Sequence, residues 1–375
     1  TVPAAGEVVY LRSTGNLSTG GTAVDVTDDI HPDNREMAIR AIKGIGLDIG
    51  GVDFLTSDIS KSYRETGGAI CEVNAGPGFR MHVAPSEGTP RDVAGPVIDM
   101  LFPPGSPSRV PIAAVTGTNG KTTTSRMLAH ILKMAGHSVG LSSSDGIYID
   151  GNLSVEGDLT GPRSAQMILR DPTIDAAVLE TARGGLLRRG AGMTRADAAV
   201  ITNIAADHLD DYGVTDLEAL ADIKWLVTRP LGDDGVAILN AEDPRLVERA
   251  TGFGGEIAWF ALDPAAPARA AERAGAACFW YVEDGWVVRE EHGDKFRLGE
   301  VARIPVTLGG AARHNVANSL AAAGLAHALG VADSAISAAL ISTATSANPG
   351  RCNLFLVGGV NVLVDFAHNP HGVTA

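Results

Sequence analysis

The stretch that most constrains this chain is Pro111–Ser125, P-I-A-A-V-T-G-T-N-G-K-T-T-T-S. Ile112–Val115 is a short apolar run of the kind buried in a sheet, and Gly117 and Gly120 permit a tight turn. From Lys121 to Lys133 the apolar residues Met127, Leu128, Ile131 and Leu132 recur at helical spacing. A strand that turns on glycines into a helix aims backbone N–H groups, and the positive end of the helix dipole, at an anion. Gly117, Thr118, Asn119, Gly120, Lys121, Thr122 and Thr123 are therefore candidate contacts for the phosphates of ATP, with Lys121 reaching the outer ones and the Thr122 hydroxyl holding Mg²⁺. The position five before Gly120 is Val115 rather than glycine, so the motif is a shorter T-G-T-N-G-K-T form.

With 375 residues there is room for two or three domains. The net charge of −14 argues against a nucleic-acid partner, because counterion release needs clustered Lys and Arg. An anionic ligand must then be met by local sites such as this loop. Cys71, Cys278 and Cys352 show neither metal-ligand spacing nor a disulfide framework, which fits a cytoplasmic setting. No run of eighteen apolar residues and no signal peptide occurs, so no membrane partner is expected. The chain opens at Thr1 without Met and stops soon after a new element begins, so a fragment is expected.

Residues 1–86 form a first unit. Val8–Leu11 reads as a strand, Ser13–Gly21 as a loop, and Pro32–Leu47 as a helix with Asp33 or Asn34 as its cap. Gly51–Leu55 and Gly68–Val73 read as a hairpin. Alternate strand residues share a face, so Asp53 on one strand and Glu72 and Asn74 on the other can point one way. Two carboxylates and an amide oxygen are hard ligands suited to Mg²⁺, with a solvated hairpin edge as the plain alternative. Asp58 competes with Asp53 for the first carboxylate. Residues 87–110 read as a closing helix, Asp92–Phe102, and a breaker-rich linker, P-P-G-S-P-S.

From Pro111 onward strands and helices alternate, which predicts a doubly wound α/β domain with a mostly parallel sheet and strands at 112–116, 175–180, 198–203 and 235–240. Ligands of such sheets sit beyond the carboxyl ends of the strands. Glu180 closes one strand, and Asn203 and His208 follow another. Glu180 is a candidate Mg²⁺ ligand beside Thr122, and His208 a ligand for a second ion. Taken singly, a helix-start carboxylate and a surface histidine are the plain alternatives. Trp280–Leu298 reads as a β insertion, and Val360–Phe366 as the first strand of a further domain that begins after Asn348-Pro-Gly-Arg351.

The run E-V-N-A-G-P-G-F resembles the metal-binding end of ATP-grasp ligases. T-G-T-N-G-K-T-T, the Glu180 strand end, T-N-I-A-A-D-H-L-D, R-H-N-V-A-N-S-L-A-A-A at 313–323 and D-F-A-H-N-P at 365–370 resemble the successive motifs of Mur ligases. In this order the parts are similar to the cyanophycin synthetase family. The resemblance implies an α+β C-terminal piece of an ATP-grasp domain at 1–86 and a P-loop Mur ligase central domain at 111–350. It further implies the start of a Mur ligase C-terminal domain at 351–375. It implies an ATP- and Mg²⁺-dependent acid–amino-acid ligase working through acyl phosphates. Its Mur-like site would add arginine to aspartate side chains, and its ATP-grasp site would extend the poly-aspartate backbone. The partners implied are a poly-aspartate or cyanophycin primer, arginine and aspartate, in a homo-oligomer. Among residues it implies catalytic roles for Lys121, Glu180, His208 and a carbamylated Lys224, and nucleotide contacts from Asn203, Asn315, Asn318, Arg351 and Asp365. A lysine snorkelling past Trp225 is the alternative for Lys224, and a helix cap for Asn315. Arg183 and Arg188 are candidate cations by location. Competing readings are another Mur-type ligase, acting on peptidoglycan precursors or folylpolyglutamate, and a non-catalytic ATP-binding remnant.

Overall fold

The computed structural model describes residues 2, 4–6, 9, 17–207, 209 and 213–374, so the expected strand at Val8–Leu11 lies mostly outside the described residues. It divides into two compact units, Thr1–Ser108 and Arg109–Ala375.

In the first unit the helix Pro32–Ile45 begins with proline at its first position, where the missing N–H costs nothing. Its cap is His31, whose Nδ1 accepts from Asp33 N–H at 3.2 Å, rather than Asp33 or Asn34. Asn34 is buried and staples a later segment, donating to Ile59 O and Lys61 O at 3.0 and 2.8 Å. Strand β1 (Gly51–Leu55) pairs antiparallel with β2 (Ala69–Asn74), and Asp53 stands directly opposite Glu72.

The second unit is built on an eleven-stranded sheet. Its first half supplies β3 (Ile112–Thr116), β4 (Val139–Ser143), β5 (Gly146–Ile149), β6 (Asn152–Glu156) and β7 (Ala176–Glu180). Then come β8 (Ala196–Ile201), β9 (Leu231–Asn240), β10 (Glu256–Ala261), β11 (Cys278–Glu283), β12 (Trp286–Glu291) and β13 (Asp294–Glu300). The order across the sheet is β13-β12-β11-β10-β9-β8-β3-β7-β4-β5-β6. From β11 to β4 neighbours run parallel, and an antiparallel hairpin extends each edge.

Every residue of β3 and β7 is buried, as expected of central parallel strands covered on both faces. Side chains alternate between the two layers. Ala113 and Val115 pack with Met127, Leu128, Ile131 and Leu320, whereas Ala114 packs with Leu220, Leu246 and Trp259. One helix of the first layer, Arg313–Ala328, is rich in alanine and buried along most of its length, so it lies close against the helix Lys121–Met134.

Two expectations need correcting here. Residues 278–300 are not an insertion: β11 continues the parallel run beside β10, with Cys278 opposite Ala258, and β12 and β13 complete that edge. After Arg351 the first strand is β14 (Asn353–Val357), which turns at Gly358-Gly359 into β15 (Val360–Val364). Among the described residues no helix is long and apolar enough to cross a membrane.

Candidate nucleotide and metal site

The loop after β3 can be closed only by glycine at two places. Gly117 has φ +147°, and a Cβ there would lie 1.8 Å from Thr202 Oγ1. Gly120 has φ +87°, and its Cβ would lie 2.2 Å from Asn318 Oδ1. Residues just past β8 then clamp the loop. Thr118 N–H donates to Asn203 O at 2.9 Å. The Asn203 amide brackets Asn119, accepting from its N–H and donating to its carbonyl, both at 3.0 Å. Thr202 Oγ1 donates to the same carbonyl at 2.6 Å. Asn203 therefore reaches the cavity while its amide is engaged in shaping the loop.

Behind the loop, Lys121 Nζ donates to Thr118 O at 2.8 Å. Burial of the amine pushes its pKa down, against the opposing pull of Glu180 and Asp207. Glu180, only 2 % exposed at the tip of β7, accepts from Thr122 Oγ1 at 3.2 Å. Ser144, one residue past β4, places its hydroxyl 3.0 Å from Thr122 Oγ1 and donates its N–H to Glu180 Oε2 at 3.3 Å. Burial pushes the Glu180 carboxyl up, even though Lys121 and these donors favour its charged form. Two hydroxyls and a buried carboxylate short of positive charge are the hard-oxygen set a Mg²⁺ ion takes, so the residues present fit one.

Lys224 lies at the end of the helix Leu217–Trp225, which Asp216 caps through a bond from Ala219 N–H at 2.8 Å. It does not snorkel to solvent: the side chain is buried and Nζ donates to Gly117 O at 2.7 Å, underneath the loop. Burial, reinforced by repulsion from Lys121, holds its pKa well below the ordinary lysine value. His208 lies outside the described residues.

A cavity of about 680 Å³ opens from the loop, within the range of small-molecule sites. Thr118, Asn119, Gly120, Lys121, Thr122 and Thr123 line one end together with Ser144 and Glu180. Asn315, Asn318, Arg351, Asp365 and the apolar Phe260 and Leu262 line it as well, with Asn318 beside Gly120. Asn315 is not a cap, since Ala312 precedes the helix; its amide donates to Val306 O at 2.8 Å and accepts from Asn318 at 3.1 Å. Arg351 stacks its guanidinium 4.7 Å from the Phe366 ring centre, and Asp365 accepts from Cys352 N–H at 2.7 Å.

Ser144 was missed by sequence reasoning, and so was Asn369, which exchanges two amide bonds of 3.0 and 3.1 Å with Asn119. Arg183 and Arg188 are not among the residues lining the cavity, and Arg188 Nε bonds Gly184 O at 3.0 Å in its own helix. In the first unit Asp53 and Glu72 occupy facing positions and are both exposed. Asp58 is bound to its own turn: the Ser60 hydroxyl at 2.6 Å and Lys61 at 3.1 Å hold its carboxyl down at about 2.

Comparison with known proteins places the geometry in a family. The Mur ligase middle domain matches residues 115–326. The chain is similar to cyanophycin synthetase of Synechocystis sp., 50% identical over 98% of this chain and 42% of that protein. It thus spans less than half the length of the curated cyanophycin synthetases it matches. Among solved structures, E. coli FolC in complex with ADP shares the fold, with a TM-score of 0.52, 24% identity and coverage of 70% of this chain and 63% of that one. A UDP-N-acetylmuramoyl-L-alanyl-D-glutamate–2,6-diaminopimelate ligase does likewise, with a TM-score of 0.53, 23% identity and coverage of 74% and 54%.

Proposed function

The chain belongs to the Mur ligase family, and from that premise we propose that it is part of an ATP-dependent ligase that joins an amino acid to a carboxylate. The observation that carries this reading is convergence. A glycine-turn cradle after β3, Glu180 from β7, Ser144 after β4 and the Asn203 clamp after β8 are joined by hydrogen bonds and line one nucleotide-sized cavity.

A carboxylate does not react with an amine at neutral pH, because oxide is a poor leaving group. Transfer of the γ-phosphoryl group of ATP to the carboxylate gives an acyl phosphate and ADP. Attack by the amine then forms the amide and expels phosphate, with the amine proton passing to solvent. Such catalysis is chiefly positioning and charge neutralisation. Lys121 and the loop N–H groups hold the outer phosphates. Thr122, Ser144 and Glu180 would hold a Mg²⁺ ion, which when bound would neutralise phosphate charge. Lys224 stands buried under Gly117, and burial holds its pKa well below the ordinary lysine value, toward the neutral amine that carbamylation by CO₂ requires. A second cation would be held by His208 and the Lys224 carbamate in this reading.

The likeness to cyanophycin synthetases supports the substrate reading, in which arginine is attached to aspartate side chains of a poly-aspartate primer. The first unit is read as the C-terminal piece of an ATP-grasp domain that extends the backbone, with Asp53, Glu72 and Asn74 as its metal ligands. In the full-length protein, Lys121→Ala should abolish arginine incorporation and leave aspartate incorporation intact, measured with each amino acid radiolabelled. Equal loss of both would overturn the assignment of arginine addition to this site. A substrate panel with no arginine- or primer-dependent phosphate release would overturn the substrate reading.

A further inference from the structure

Arg126 stands four residues after Thr122 on the helix Lys121–Met134 and so shares its face. Its side chain is only 9 % exposed, and Nη2 pairs with Asp145 Oδ2 at 2.5 Å. Nη1 is buried and finds no hydrogen-bond partner among the described residues. Asp145 belongs to the turn between β4 and β5 and directly follows Ser144. That turn holds its own shape: Asp145 N–H donates to Ser143 Oγ at 3.3 Å, and Gly146, at φ +156°, leaves no room for a Cβ beside Val155 O. None of these internal bonds sets the distance from the turn to the phosphate-loop helix. The Arg126–Asp145 pair spans that gap, one residue from the Ser144 hydroxyl that meets Thr122 and Glu180.

We infer that Arg126 is a positioning residue for the metal, acting through Asp145 to bring Ser144 into the oxygen set with Thr122 and Glu180. The inference rests on the metal reading proposed above for that set. The Arg126 guanidinium is buried and Asp145, itself half-exposed, is its one carboxylate partner among the described residues, which favours a fixed geometry for the pair. The pair does not line the cavity, so its effect should fall on the metal and not on nucleotide contacts made without one.

The test uses the full-length protein with Arg126→Met, Asp145→Asn and Ser144→Ala. Free Mn²⁺ is followed by electron paramagnetic resonance in the presence of ADP, and ADP binding in EDTA is followed by calorimetry. Arg126→Met and Asp145→Asn should each weaken Mn²⁺ binding about tenfold, as should Ser144→Ala, and leave ADP affinity in EDTA within about twofold. Adding Ser144→Ala to Arg126→Met should weaken Mn²⁺ little further, since both act on one ligand. Mn²⁺ affinity unchanged in Arg126→Met and Asp145→Asn but weakened in Ser144→Ala would overturn the inference. So would an equal fall of ADP affinity in EDTA, the mark of a merely structural role. If Arg126→Met does not fold, Asp145→Asn carries the same comparison, because it keeps the shape of the pair and removes its charge. Mn²⁺ binding indifferent to Ser144→Ala and to Glu180→Gln alike would sink the metal reading itself, which is a separate failure.

Discussion

Replacing Gly117 by alanine tests the loop geometry most sharply. At φ +147° a side chain is strained, by about 1–3 kcal/mol for a residue held in a sparsely populated region. The new Cβ would also sit 1.8 Å from Thr202 Oγ1, so that hydroxyl must swing away. It then loses its 2.6 Å bond to Asn119 O, a loss of about 1 kcal/mol. Gly117→Ala should therefore destabilise the second unit by roughly 2–4 kcal/mol. Thr202→Ala alone should cost about 1 kcal/mol. Because the first substitution has already broken that bond, Thr202→Ala should cost almost nothing in the Gly117→Ala background, a coupling of about 1 kcal/mol. Urea denaturation followed by tryptophan fluorescence reads this unit, since Trp225, Trp259, Trp280 and Trp286 all lie in it. Strictly additive costs, or a loss under about 1 kcal/mol for Gly117→Ala, would refute the reasoning.

Lys224 makes a pH prediction. Its native pKa lies well below 10.5, so between the two values the unfolded chain holds a proton that the native chain does not, and stability rises with pH across that window. In CO₂-free, metal-free buffer the urea midpoint should climb as the pH rises toward 10, and Lys224→Met should remove that contribution; an unchanged slope would contradict it. In ¹³C-bicarbonate the wild type should show a carbamate resonance that Lys224→Met lacks. Far from the cavity, Arg289 is buried and paired with Asp333 at 2.8 Å and with Glu291, its guanidinium 4.2 Å from the Phe296 ring centre. Arg289→Ala should cost about 2–3 kcal/mol, near the lower end for a broken buried pair because both carboxylates are partly exposed. It should leave ADP affinity unchanged by calorimetry.

What was legible in the sequence follows from how local its cause is. The strand–glycine–helix run at 112–134 is a contiguous pattern, and Glu180 stood out because the apolar run before it ends on a carboxylate. Ser144 did not stand out: β4 reads V-G-L-S-S, too poor in large apolar residues to announce a buried strand, and its burial comes from neighbours on both sides. The edge at 278–300 was misread because the hairpin pattern is local, whereas pairing of β11 with β10 depends on a crossover through the helix Ala266–Ala274. The direction of Lys224 was equally hidden. Sequence shows a lysine beside a tryptophan; only the packed helix turns its amine under Gly117. His31 as a cap escaped notice because a histidine ring seldom plays that part.

In the proposed function this cavity turns a carboxylate into a mixed anhydride with phosphate. Hydroxylamine trapping measures that directly in the full-length protein supplied with ATP and a poly-aspartate primer but no arginine. Side-chain hydroxamates should form in an ATP-dependent way and disappear in Lys121→Ala and Glu180→Gln. Arginine incorporation without any trapped hydroxamate, or hydroxamate formation that survives both substitutions, would contradict the account.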